Sequence, residues 1–162
     1  MIPVGAEAVK SIKSVMGNKT DMDKKFLEEI QERVIILLKT LSNDLHIVAK
    51  DRCSEVARLV GCWISDECYK CRIQICKGTF SDGSAHDILV VENNGALSLI
   101  DPTIWQIFPE SSSIFIGTAG NIQETSSLLT EKYSGSWKIS EYLYKCSDDF
   151  QKKLLEIIKN SR

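Results

Sequence analysis

The segment HDILVVENNGALSLID, residues 86–101, carries the strongest structural signal in the chain. Two apolar runs, Asp87–Glu92 and Ala96–Ile100, flank Asn93-Asn94-Gly95. Asn and Gly tolerate the positive φ that a tight hairpin turn demands, so the segment predicts an antiparallel pair of strands. His86 begins the first strand and Asp101 ends the second. The loop decides whether they meet. With Asn93-Asn94 as the two-residue loop, His86 lies directly opposite Asp101. With Asn94-Gly95 the two share a face diagonally. A three-residue loop, Asn93-Asn94-Gly95, puts them on opposite faces. On either even loop, Ile88 and Val90 share the His86 face with Leu97 and Leu99. That face is apolar, and we expect it to pack on the helix that carries Cys53. Pro102 closes the second strand, because it has no N–H for the ladder.

Upstream, Cys71, Ile73 and Ile75 alternate with Arg72, Gln74 and Cys76, which predicts a strand, followed by turn residues at 80–84. Residues 5–16 predict a short helix ended by Gly17-Asn18. Phe26, Ile30, Val34, Leu37, Leu38 and Leu41 recur at helical spacing behind a cap at Asp21 or Asp23. A second helix starts near Asp51, whose side chain is placed to cap it, with Val56, Ala57, Leu59, Val60 and Trp63 inward and Gly61 as an early stop. Downstream, residues 109–113 read as a loop, 114–117 as a short strand and 148–159 as an amphipathic helix. Helices, then strands, then a helix give an α+β fold, a mainly antiparallel sheet packed against helices.

The whole chain, 162 residues, fits one domain, with a core at about residues 21–120 and a C-terminal helix at 148–159. At 43% hydrophobic and 26% charged it has the composition of a soluble globular protein with a core of its own. The net charge is −2 and no Lys/Arg cluster stands out, which argues against nucleic acid as a partner. The longest uninterrupted apolar run considered, residues 34–38, is far short of the roughly 20 residues of a membrane span. The first residues lack the apolar centre of a signal peptide, which points to a reducing cytoplasm or to export without a classical signal. The six cysteines are therefore read first as thiols. Cys62, Cys68, Cys71 and Cys76 raise a zinc reading through Cys68-x-x-Cys71, but they lack the second close pair of a structural site. No metal or cofactor is assigned.

Cys53 falls in the first turn of the second helix, where unpaired N–H groups and the helix macrodipole favour a nucleophilic thiol. With His86 and Asp101 it makes a candidate catalytic triad of nucleophile, base and orienting carboxylate. Cys62 is its rival as nucleophile. His46, seven residues before Cys53, is the other histidine; His86 is preferred because Asp101 pairs with it.

Three segments carry a resemblance: Cys53-Ser-Glu-Val-Ala, His86-Asp-Ile-Leu-Val-Val-Glu and Leu99-Ile-Asp101-Pro-Thr. In order and spacing they resemble the core of the transglutaminase-like and papain-like thiol enzymes, which include arylamine N-acetyltransferases and effector-type glutamine deamidases of bacteria. The resemblance covers about residues 50–105. It departs at Ile88, where an aromatic is usual, and at Lys50-Asp51-Arg52, where Gly or Trp often precedes the Cys. It implies a papain/transglutaminase-like core and acyl transfer or amide hydrolysis at Cys53, His86 and Asp101. A protein amide is the expected substrate, by glutamine deamidation or peptide cleavage, in a setting such as a bacterial effector or toxin. The alternative is a non-catalytic protein-binding module on the same scaffold, favoured by the missing aromatic and the absence of a recognisable oxyanion donor; Asn43 is the only residue suggested for that role.

Overall fold

The computed structural model describes residues 22–144 and 146–160, so the helix expected over 5–16 lies outside the described residues. The first described helix, α1 (Lys24–Lys39), starts at Asp23, whose Oδ1 accepts from the Phe26 N–H at 2.8 Å. That bond satisfies one of the donors a helix start leaves unpaired. Phe26, Ile30, Val34 and Leu38, four apart, form its buried stripe. A short helix that the sequence did not signal, α2 (Leu45–Ala49), follows, capped by Asp44.

The helix that bears Cys53, α3 (Cys53–Glu67), corrects two expectations. Asp51 does not cap it: Asp51 has φ +66, Arg52 stands at the cap position, and the cap residue makes no side-chain hydrogen bond to the first-turn N–H groups. Asp51 instead takes the left-handed turn between α2 and α3, a conformation Asp tolerates better than most residues. Nor does Gly61 end the helix. It lies mid-helix at the closest approach to the sheet, where an added Cβ would sit 2.8 Å from Leu143 Cδ2 and 3.0 Å from Ile73 Cγ2. We predict that Gly61→Ala destabilises the protein by about 1–2 kcal/mol, because overpacking outweighs a helix-propensity gain of about 1 kcal/mol. Urea unfolding checks this; a stabilised variant would contradict the close approach.

Five strands follow: β1 (Arg72–Thr79), β2 (Ala85–Asn93), β3 (Ala96–Asp101), β4 (Phe115–Ala119) and β5 (Ser136–Leu143). They form one open antiparallel sheet in the order β4-β3-β2-β1-β5. A 3-10 turn (Ile104–Gln106) follows β3, α4 (Ile122–Tyr133) joins β4 to β5, and α5 (Asp148–Asn160) comes last. The described chain is thus α+β, with a five-stranded antiparallel sheet and five helices. Sequence patterning assigned neither α4 nor β5. No described helix is long and apolar enough to cross a membrane.

The hairpin loop is Asn94-Gly95, with φ +56 and +84, and Asn93 pairs with Ala96. This is the diagonal option, so His86 and Asp101 share a face. The layering around that face differs from expectation. Val56, Ala57, Val60 and Ile64 of α3 pack with Ile73, Ile75, Leu89 and Val91, on the opposite face. The face of Ile88, Val90, Leu97 and Leu99 is covered by Leu129 and Tyr133 of α4 and by Trp137 of β5. The two faces are both apolar, because strands covered on both sides carry nearly continuous hydrophobic runs. Such a run does not tell which helix takes which side.

Candidate active site

His86 is fully buried at the start of β2. Its register partner on β1 is Gly78, and the missing side chain there admits Trp137, whose ring atoms come within 2.5 Å of where a Cβ would be. The Trp137 ring stands edge-on to the imidazole, with centroids 6.4 Å apart. On the other side, Asp101, also fully buried, accepts from His86 Nε2 at 2.8 Å. Its second oxygen accepts from the Thr103 N–H at 3.0 Å, a turn bond that fixes the carboxylate at the strand end. The Tyr133 hydroxyl donates to the same oxygen as His86, at 2.6 Å. Asp101 is thereby held from three directions.

Nε2 is committed to Asp101, and Nδ1 has no hydrogen-bond partner among the described residues. Cys53 adds to the ring's proton affinity. Burial alone would lower the His86 pKa. The charge and hydrogen bond of Asp101, joined by Cys53, outweigh burial and raise it to about 10.

The other cysteines separate clearly from Cys53. Cys62 is bonded to Cys146, and Cys68 to Cys71, so four of the six are not the thiols they were first read as. This removes Cys62 as a rival nucleophile and takes Cys62, Cys68 and Cys71 out of the zinc reading. The free pair is Cys53, partly exposed, and Cys76, buried. Burial first, and then the charge of Asp87, push the Cys76 thiol up to about 12, which leaves it inert at neutral pH. His46 is engaged elsewhere, its Nδ1 donating to the Trp105 carbonyl at 2.7 Å. Asn43 lines a surface hollow with His46, Trp105 and Ser111.

Sequence reading missed a charged clamp beside the triad. Asp87, on the opposite face from His86 and 1% exposed, bonds Arg58 Nη1 at 3.0 Å and Lys77 Nζ at 2.9 Å. Arg58 also holds Ser54 Oγ at 2.7 Å and Glu141 at 2.8 Å. The residue after Cys53 is thus tied through Arg58 to the residue after His86. An Asp inside a strand otherwise made of Ile, Leu and Val was the available signal, since a buried charge requires a partner. Arg52, before Cys53, is buried and donates to the carbonyls of Val48 and Ile158, which docks the end of α5 under the start of α3. Tyr133 was also missed, because it lies in α4.

No family model, curated protein or solved structure matches the chain.

Proposed function

We propose that the chain is a cysteine-dependent amidohydrolase on a papain/transglutaminase-like core. The observation that carries the reading is the buried His86–Asp101 bond at 2.8 Å, on a ring whose Nδ1 has no hydrogen-bond partner among the described residues and whose proton affinity Cys53 raises. In the proposed reaction Cys53 has already passed its proton to His86, and Cys53 Sγ attacks the carbonyl carbon of a carboxamide. The tetrahedral adduct collapses, His86 protonates the leaving amine, and a thioester remains. Water, deprotonated by His86, then attacks the thioester and releases the acid and the thiol. Asp101 keeps the ring oriented throughout.

The proposed substrate is an amide of another protein, either a glutamine side chain or a peptide bond. The two disulfides support use in an oxidising compartment, and so the exported setting, over the reducing cytoplasm. The test is incubation with dimethylcasein, a general protein substrate. Ammonia release without new termini signals deamidation, and new termini signal cleavage. The reading expects one of these, with Cys53→Ser reducing it at least about 100-fold. Absence of both from a folded protein whose Cys53 is reduced counts against it. The full burial of His86 favours the second reading, a protein-binding module without catalysis, and that result would support it.

A further inference from the structure

We propose that Tyr133 is a positioning residue of this site: its hydroxyl shares one oxygen of Asp101 with His86 and so restrains the carboxylate's hold on the ring proton. The inference rests on the thiol-site reading above. Asp101 Oδ1 is occupied by the Thr103 N–H, which leaves Oδ2 to serve both His86 and Tyr133. The Tyr133 contact, at 2.6 Å, is the shorter of the two. Two donors on one oxygen divide its charge, so each is held less strongly than it would be alone. A histidine that must both take and return a proton is hindered when a buried carboxylate holds its proton too firmly.

Nothing in the packing calls for the hydroxyl. The Tyr133 ring sits between Phe108 and Trp137, with centroids 5.4 and 5.2 Å away, and a phenylalanine fills the same space. Burial and the charge of Asp101 both push the Tyr133 pKa up, so the group stays a donor at any working pH. The titratable groups that bear on His86 are few. Cys53 comes from α3, Asp101 from β3, and Tyr133 from α4 acts through Asp101. Lys132 Nζ lies 5.8 Å over the Tyr133 ring. Asp87, next along β2, is turned to the other face and held by Arg58 and Lys77. β1 and β5 present Gly78 and Trp137, neither of which titrates.

The test is the titration of His86 by NMR in the full chain carrying Tyr133→Phe. The chain has two histidines, so His46 serves as an internal reference. We expect the His86 midpoint, about 10 in the parent protein, to rise by about one unit. An unchanged or lowered His86 midpoint would overturn the proposal, whatever happens to the melting temperature. A role in packing alone would lower the melting temperature and leave the midpoint where it was. Should the Phe variant fail to fold, 3-fluorotyrosine placed at 133 keeps the shape and is a stronger donor. It is expected to lower the His86 midpoint, and no change would again overturn the proposal. Neither readout needs turnover, so an inert Cys53 would remove the enzyme reading while leaving this titration to be judged separately.

Discussion

Asp101→Ala is expected to destabilise the folded protein by about 3–5 kcal/mol near pH 6, and by much less at pH 11. The carboxylate is fully buried and accepts from His86, Tyr133 and the Thr103 N–H. Its loss leaves three buried donors without their acceptor, and leaves a ring that carried a paired charge in an apolar setting. The pH dependence gives the prediction its sign. Burial opposes charge on His86, but Asp101 and Cys53 raise its pKa from 6.5 to about 10. The folded pKa is the higher one, so the stabilisation is fully present below about 6.5, where the unfolded ring is also charged. It declines as the pH rises and is gone once the pH has passed through about 10. In the alanine variant burial dominates and the ring prefers to be neutral, so this variant weakens on acidification instead. Urea unfolding at the two pH values measures the difference. An equal deficit at both would show that Asp101 does not hold the charged ring.

The second large effect concerns Cys62–Cys146. This disulfide spans 84 residues and ties the middle of α3 to the segment before α5. Cross-linking a loop of that length removes chain entropy from the unfolded state worth about 4–5 kcal/mol. Cys68–Cys71, with a separation of 3, closes a very short loop and contributes roughly 2 kcal/mol at most. The pair Cys62→Ala with Cys146→Ala is therefore expected to lower the melting temperature by about 10–18 °C. The reduced parent protein should melt near or slightly below that variant. Coincident melting curves for the parent with and without dithiothreitol would return the chain to six free thiols.

The hairpin was legible because the side-chain period of a strand is two, and an even loop admits one arrangement of His86 and Asp101 relative to the sheet. The Asp23 cap and the Phe26–Leu38 stripe were legible because helix starts and helical spacing are local features. The layering was not local. Both faces of β2 and β3 are apolar, so the segment 86–101 carried no information on which face α3 would take. It is α4, with a polar run Gln123-Glu124-Thr125-Ser126-Ser127 and only Thr125, Leu129 and Tyr133 buried, that covers the His86 face. Its apolar stripe is too narrow to stand out from a loop. β5 lies at the sheet edge and is mostly exposed, and its alternation of Trp137 and Ile139 with Lys138 and Ser140 is short. The His86–Asp101 pair followed from the hairpin, while Tyr133, Arg58 and Asp87 come from tertiary contacts that no local pattern encodes. Cys62–Cys146 was missed for the same reason, since Cys146 stands far from its partner in sequence, whereas Cys68–Cys71 is local and was set aside by reading the cysteines first as thiols.

The central claim is that Cys53 and His86 act as one unit, and the most direct measurement is the rate at which iodoacetamide modifies each cysteine at pH 7, read by peptide mapping of the oxidised protein. At that pH the ring is protonated, with a pKa of about 10, and it stands beside the thiol. Activation of a thiol by an adjacent imidazole is lost when the imidazole is removed. The label is expected to enter Cys53 before Cys76, and His86→Ala is expected to slow labelling of Cys53 about tenfold or more while leaving Cys76 as it was. Labelling of Cys53 at the same rate in the parent and in His86→Ala would contradict it.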